Sequence, residues 1–284
     1  MTGLYRGMDR ATLDLAYNNS AHIGLARRDA LVADWTTRSA ALRTRLSVRG
    51  PLAYGTAPRQ VLDFISCGQT GAPTLAFIHG GYWQWNDKDL WLFVAEGLLA
   101  EGFHFANIEY TLAPEARMDG IVGEITQATQ WLIDHLAELD GDPARLYVAG
   151  HSAGGHLTAI AMENPFVAGG LAISGLYDLE PIRLNWLNDK LGMDEAEARR
   201  NSPIARIPER ARPLWITVGG GELPELQRQS VEYFSAWRAA GHSTEFIAMP
   251  GLDHFVIMEE LARPGGRLAR SIGALARGEP PPAF

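Results

Sequence analysis

Seven short apolar runs, separated by helix-patterned stretches, constrain this chain more than any other feature. They are VLDFISC (61–67), TLAFIH (74–79), HFANIEY (104–110), RLYVAGH (145–151), GGLAISG (169–175), PLWITVGG (213–220) and TEFIAMPG (244–251). Most are continuously apolar rather than alternating, as strands covered on both faces are. Between them lie helical stretches at 88–102, 120–139, 153–164 and 224–241. In the second, Ile121, Ile125, Ala128, Leu132 and Leu136 recur at helical spacing. Strands alternating with helices predict an α/β fold, a mostly parallel sheet with helices on both faces. No internal repeat is visible, and 1–284 reads as one domain.

Two segments fall outside the alternation. Residues 9–45 have the pattern of one or two amphipathic helices ahead of the sheet. Residues 178–210 form a helix-prone insertion between two strands. An insertion at a strand's carboxyl end sits above the ligand crevice of an open α/β sheet, so this one is expected to be a small cap.

The formal net charge of -8 and the scattered Lys and Arg argue against general affinity for nucleic acid or anionic membrane. The amino terminus lacks the basic and apolar parts of a secretory signal, and no run is long enough to span a bilayer. A cytoplasmic location is the expectation. Cys67 is the single cysteine, so internal disulfides and cysteine-based zinc sites are excluded. It ends an apolar run and is expected to be a buried, inert thiol.

The chemistry centres on YVAGHSAGGHL. Gly150-His151-Ser152-Ala153-Gly154 matches G-x-S-x-G where a predicted strand gives way to a predicted helix. That turn is too tight for side chains at its glycine positions and lifts a serine hydroxyl above the sheet. Such a hydroxyl needs a base, and in the chain order of α/β hydrolases an acid and then a late histidine follow the serine. His254, in GLDHF, has that order and context. His151 and His156 are fixed to the serine's own turn and helix. The acid should follow the strand PLWITVGG, where Glu222 comes first; Asp178 and Glu225 are the main rivals, and Asp253 a further one.

A tetrahedral oxyanion needs backbone N–H donors, and glycines let the backbone approach closely. HGGYW, following an early strand, resembles the HGGG oxyanion motif with Tyr82 in place of the third glycine. Gly80, Gly81 and Ala153 are the expected donors, and His79 is expected to brace the loop. Tyr82 and Trp83, with Trp186 from the cap and His151 beside the serine, are expected to face the substrate.

HGGYW, EYTLAPEA, GHSAGGHL, PELQRQS and GLDHF together resemble the serine-dependent arylformamidase (kynurenine formamidase) branch of the α/β-hydrolase superfamily, over roughly residues 60–260. The resemblance implies an α/β-hydrolase fold and a triad carried by Ser152, Glu222 and His254. It also implies a small aromatic amide such as N-formylkynurenine as substrate, with no cofactor and no metal. The family's acid is often aspartate, so glutamate at 222 is a departure. Related esterases and amidases share HGGYW and GHSAGGHL, which leaves a short-chain carboxylesterase as the alternative. A binding protein on a degenerate hydrolase fold is the non-enzymatic one. A homodimer is compatible with the sequence.

Overall fold

The structure, a computed structural model, describes residues 3–283. Eight strands among them form one sheet: β1 (Val48–Ala53), β2 (Val61–Ile65), β3 (Ala72–Ile78), β4 (His104–Ile108), β5 (Gly141–His151), β6 (Gly169–Ile173), β7 (Leu214–Gly219) and β8 (Phe246–Met249). Their order is β1-β2-β4-β3-β5-β6-β7-β8. β1 pairs antiparallel with β2, and β2 with β4; all other pairings are parallel. This is the α/β-hydrolase architecture expected from the apolar runs, which become β2 to β8. The sequence pattern missed β1. That strand lies at the sheet edge, carries Gly50-Pro51 and is largely exposed, so no apolar run marks it.

The described residues include twelve α-helices: α1 (Arg10–Ala16), α2 (Asn19–Ile23), α3 (Leu25–Arg45), α4 (Ala95–Ala100), α5 (Met118–His135), α6 (Ala153–Ala161), α7 (Glu180–Arg183), α8 (Asn188–Leu191), α9 (Glu195–Arg200), α10 (Pro224–Ala239), α11 (Glu259–Ala262) and α12 (Arg267–Arg277). The expected helix at 88–102 is a 3₁₀ turn, Lys88–Val94, continued by α4. Among the described residues no helix is long and apolar enough to cross a membrane.

Most strands are largely apolar on both sides because each face of the sheet has its own core. In β3, Ala76 and Ile78 point to one side, against Ile125, Leu132 and Leu157 of α5 and α6 and Trp237 of α10. Leu75 and Phe77 point to the other, against Trp35 of α3, Leu98 of α4 and Ile272 of α12. Successive strand side chains alternate between faces, so burial on both removes the polar half of the pattern.

The amino-terminal segment is three helices rather than one or two. Asp9 caps α1 by accepting from Thr12 N, and Asn18 caps α2 by accepting from Ala21 N. The 21 residues of α3 extend about 30 Å. It is pinned to the rest of the fold at several points: Trp35 Nε1 donates to Glu259 of α11 at 2.8 Å, and Arg38 pairs with the same carboxylate at 2.9 Å. Near its end, Arg43 reaches Asp63 at 2.6 Å, and Lys88 Nζ meets the same fully buried carboxylate at 2.8 Å. Removing Asp63 would take the buried counter-charge from Lys88, and breaking such a buried pair costs ~3–5 kcal/mol.

The insertion at 178–210 holds α7, α8, α9 and a 3₁₀ turn at Pro203–Ala205. It is tied to the rest through His156 of α6. A carbonyl only accepts, so Nε2–H of His156 donates to Asn201 O at 2.8 Å; an indole only donates, so Trp83 Nε1 donates to Nδ1 at 3.3 Å. Burial pushes this imidazole down to about 4 from its ordinary 6.5; the Asn201 bond partly opposes the shift, and the Arg206 charge adds to it. The unfolded chain therefore binds more protons than the folded one between those values. Stability should fall as pH drops from about 6.5 to about 4, by on the order of 3 kcal/mol for this group. Urea unfolding at pH 7 and pH 5 checks this: His156→Gln is expected to lose less stability than the wild type on acidification, and an equal loss would contradict the assignment.

Candidate active site

The elbow at the end of β5 is held by backbone crowding. Ser152 takes φ 58° and ψ −117°, a left-handed conformation that a side chain rarely adopts. Its N–H donates to Ile173 O at 2.8 Å, and its carbonyl accepts from Gly155 N and His156 N at 2.9 and 3.1 Å. A Cβ at position 154 would lie 1.9 Å from Ile78 O, so only glycine lets α6 start this close to β3. Ala153 is the first residue of α6, and the first amides of a helix have no partner within it.

His254 lies in the loop after β8, and Glu222 in the loop between β7 and α10. His254 Nδ1 is 2.6 Å from Glu222 Oε2, with both side chains buried. The other carboxylate oxygen is already filled, accepting from Ser174 Oγ at 2.6 Å and Gly219 N at 2.7 Å. Since a carboxylate only accepts, Nδ1 donates this bond, and in the neutral ring Nε2 is the nitrogen without a proton.

The rival acids are engaged elsewhere. Asp178 accepts from Tyr5 OH at 2.7 Å and from Glu180 N. Glu225 is bound by Arg228 and by Tyr17 OH at 2.9 Å. Asp253 caps the turn after His254 through Phe255 N and Val256 N, and pairs with Arg27 at 2.7 Å.

Against the elbow lies the HGGYW loop. A Cβ on Gly80 would be 2.7 Å from His151 O and 3.2 Å from Ser152 Cβ, so this glycine touches the serine directly. Gly81 has φ 122° and would clash with Trp85 O if it carried a side chain. His79, fully buried, bonds Gly80 O at 2.9 Å and Glu109 Oε1 at 3.1 Å. Glu109 also accepts from Arg59, Lys88 N and Tyr110 N, each at 2.7–2.9 Å. Burial alone would raise this carboxyl, but the bonds and charges of His79 and Arg59, with the Lys88 amide, hold it below its ordinary range. Glu109 was not singled out from the sequence. Its signal was present in EYTLAPEA, immediately after a strand.

Ser152, His151, His254 and Gly81 line one cavity of about 310 Å³. Tyr82 and Trp186 line it too. Trp83 does not. It is fully buried, its indole N–H spent on His156, and Trp85 faces the cavity in its place, 5.9 Å from the Trp186 ring. The left-handed backbone at Tyr82 and Trp83, φ 49° and 59°, twists the loop and sends neighbouring rings to different sides. Tyr82 also anchors the roof: its hydroxyl donates to Tyr17 O at 2.7 Å and accepts from Asn19 Nδ2 at 3.0 Å.

The expected cap supplies only Trp186 to the cavity. The amino-terminal helices and their linkers supply Tyr17, Asn19, Arg28, Val32 and Trp35 among others, and form most of the roof. His151 packs 4.4 Å from the His254 ring, with neither ring nitrogen hydrogen-bonded. Burial, and then the neighbouring His254, hold its imidazole well below the ordinary value, so it stays neutral beside the other ring. Cys67 is half-buried, not buried, and its thiol donates to Gly102 O outside the cavity. Among the described residues no group of three or more His, Cys, Asp or Glu is placed to hold a metal ion.

A family profile described as BD-FAE matches residues 65–165. Kynurenine formamidase of Danio rerio is 32% identical over 223 residues, covering 73% of this chain and 75% of the relative. Esterase LipC of Mycobacterium tuberculosis is 27% identical over 281 residues, 85% of this chain and 70% of the relative. A solved structure from Silicibacter sp. TM1040, described as a candidate thioesterase, superposes with a TM-score of 0.82 at 31% identity, covering 92% of this chain and 98% of that one. From the sheet, the elbow and these likenesses it follows that the chain belongs to the kynurenine-formamidase-like family of α/β hydrolases.

Proposed function

We propose that the protein is a serine hydrolase cleaving small-acyl amides and esters with aromatic leaving groups, an aryl formamide such as N-formylkynurenine being the preferred substrate. The observation that carries this reading is the buried Glu222–His254 pair, at 2.6 Å, whose histidine lines the same cavity as Ser152. Membership of a hydrolase superfamily with esterase and amidase members supports it.

In this reading Nε2 of His254 takes the proton of Ser152 Oγ as the oxygen attacks the acyl carbon. The amides of Gly80, Gly81 and Ala153 hold the resulting oxyanion, and the amino-terminal end of α6 adds a favourable dipole. His254 then gives its proton to the leaving nitrogen or oxygen, and water releases the acyl group by the same route. Glu222 holds the imidazole in the tautomer that leaves Nε2 free. The neutral state of His151 avoids a second positive charge beside the imidazolium.

The cavity is at the small end of the range for ligand sites, ~300–1,000 Å³. Its aromatic walls, Tyr82, Trp85 and Trp186, suit a flat leaving group, and each stacked contact is worth ~0.5–1.5 kcal/mol. These contacts set a preference, so activated aryl acetates should also turn over.

Two outcomes are expected. Glu222→Gln should lower kcat by roughly 10³–10⁴-fold while Glu225→Gln changes it little, because only the first carboxylate orients the base; similar losses in both, measured by steady-state kinetics, would contradict the assignment. Initial rates on N-formylkynurenine and on aryl esters of increasing acyl length should show formamide cleavage and a steep fall beyond about four acyl carbons, as overpacking a small cavity requires. Rapid cleavage of long-chain esters without formamidase activity would favour the esterase reading, towards which the likeness to Esterase LipC points.

A further inference from the structure

The cavity's charge is one-sided. Its lining includes one permanently charged side chain, Arg28 of α3, and no aspartate or glutamate, in a chain whose formal net charge is -8. Arg28 makes a single charged contact, with its sequence neighbour Asp29: Nε lies 2.9 Å from Oδ1, but off the N–H direction, so the buried Nε forms no hydrogen bond. Asp29 is exposed and does not line the cavity. Adjacent residues on a helix do not face each other, so this contact leaves the guanidinium's planar fork available to the cavity.

A second group points the same way. Asn19 lines the cavity, is buried, and has an Oδ1 with no partner. Its orientation is fixed: Tyr82 OH spends its proton on Tyr17 O, so the Asn19 atom 3.0 Å from that phenol must be the donating Nδ2. Oδ1 is thus a buried acceptor in want of a donor. A guanidinium whose fork is left free by its exposed neighbour and a buried acceptor without a donor, both lining this cavity, complement a group that carries a carboxylate and an ammonium together.

We infer that Arg28 and Asn19 form a specificity site for the amino-acid head of the substrate's leaving group, Arg28 binding its carboxylate and Asn19 Oδ1 accepting from its ammonium. This rests on the serine-hydrolase reading above and adds the residues that select, among its aryl substrates, those whose leaving group bears a free α-amino acid. It also gives the amino-terminal helices a role, since they bring both residues to a cavity whose reacting groups lie on the sheet loops. The anchoring of α3 by Glu259 and Asp63 then fixes where the charge sits.

The test compares N-formylkynurenine with its carboxamide, which keeps the formyl group, the ring and the amine and removes only the negative charge. In the wild type the acid should exceed the carboxamide in kcat/KM by tenfold or more. In Arg28→Gln that ratio should fall to about one, the loss appearing in KM for the acid rather than in kcat, with Arg28→Lys intermediate. The acid's KM should also rise with ionic strength in the wild type and not in Arg28→Gln. Absence of an acid preference in the wild type, its persistence in Arg28→Gln, or an equal fall for both substrates would overturn the inference. If neither formamide is cleaved, the formamidase reading fails separately. The same ratio for 4-acetoxybenzoate against 4-acetoxybenzamide then decides Arg28, with an Arg28-dependent preference sustaining anion recognition and its absence ending it.

Discussion

The site depends on one backbone contact. Gly154 lies so close to the carbonyl of Ile78 that a methyl group there would sit 1.9 Å from the oxygen. This approach lets α6 begin at the end of β5, brings the elbow beneath the HGGYW loop, and sets Gly80 against Ser152. The strained conformation at Ser152, which costs on the order of 1–3 kcal/mol in isolation, is held by the bond its N–H donates to Ile173 O and by those its carbonyl accepts from Gly155 N and His156 N. Strain at the serine and glycine in the flanking loop are two aspects of one packing problem.

Charge is placed by the same logic of saturation. Glu222 Oε1 is filled by Ser174 and Gly219, leaving Oε2 for His254. Glu109 is filled by His79, Arg59 and two backbone amides, and stiffens the loop on the other side of the serine. His151, between these two polar clusters, has no hydrogen-bond partner and is kept neutral by burial. A rigid, largely apolar cavity with one orienting carboxylate behind its histidine is the result.

The strands were legible because two-sided burial leaves no polar alternation to misread, and β2 to β8 coincide with the expected runs except that β3 and β5 begin earlier, at Ala72 and Gly141. The loops of the elbow, the oxyanion motif, Glu222 and His254 could be ordered from local glycine patterns and chain order. What depended on tertiary packing was not legible. β1 has no apolar signature, because an exposed edge strand needs none. Trp83 and Trp85 look equivalent as letters, and only left-handed backbone at Tyr82 and Trp83 separates the core ring from the cavity ring. The roof was assigned to the insertion, whereas α2 and α3 supply most of it. Arg28 and Asn19 are more than a hundred residues from Ser152, and nothing near them in sequence marks them.

The central claim is that Ser152 is the one activated nucleophile of the chain. Intact-mass measurement after treatment with an aryl organophosphonate, followed by peptide mapping, tests it most directly. The account predicts one adduct per chain, on Ser152, appearing in step with loss of hydrolytic activity. An adduct elsewhere, or full hydrolytic activity in protein labelled at Ser152, would contradict it.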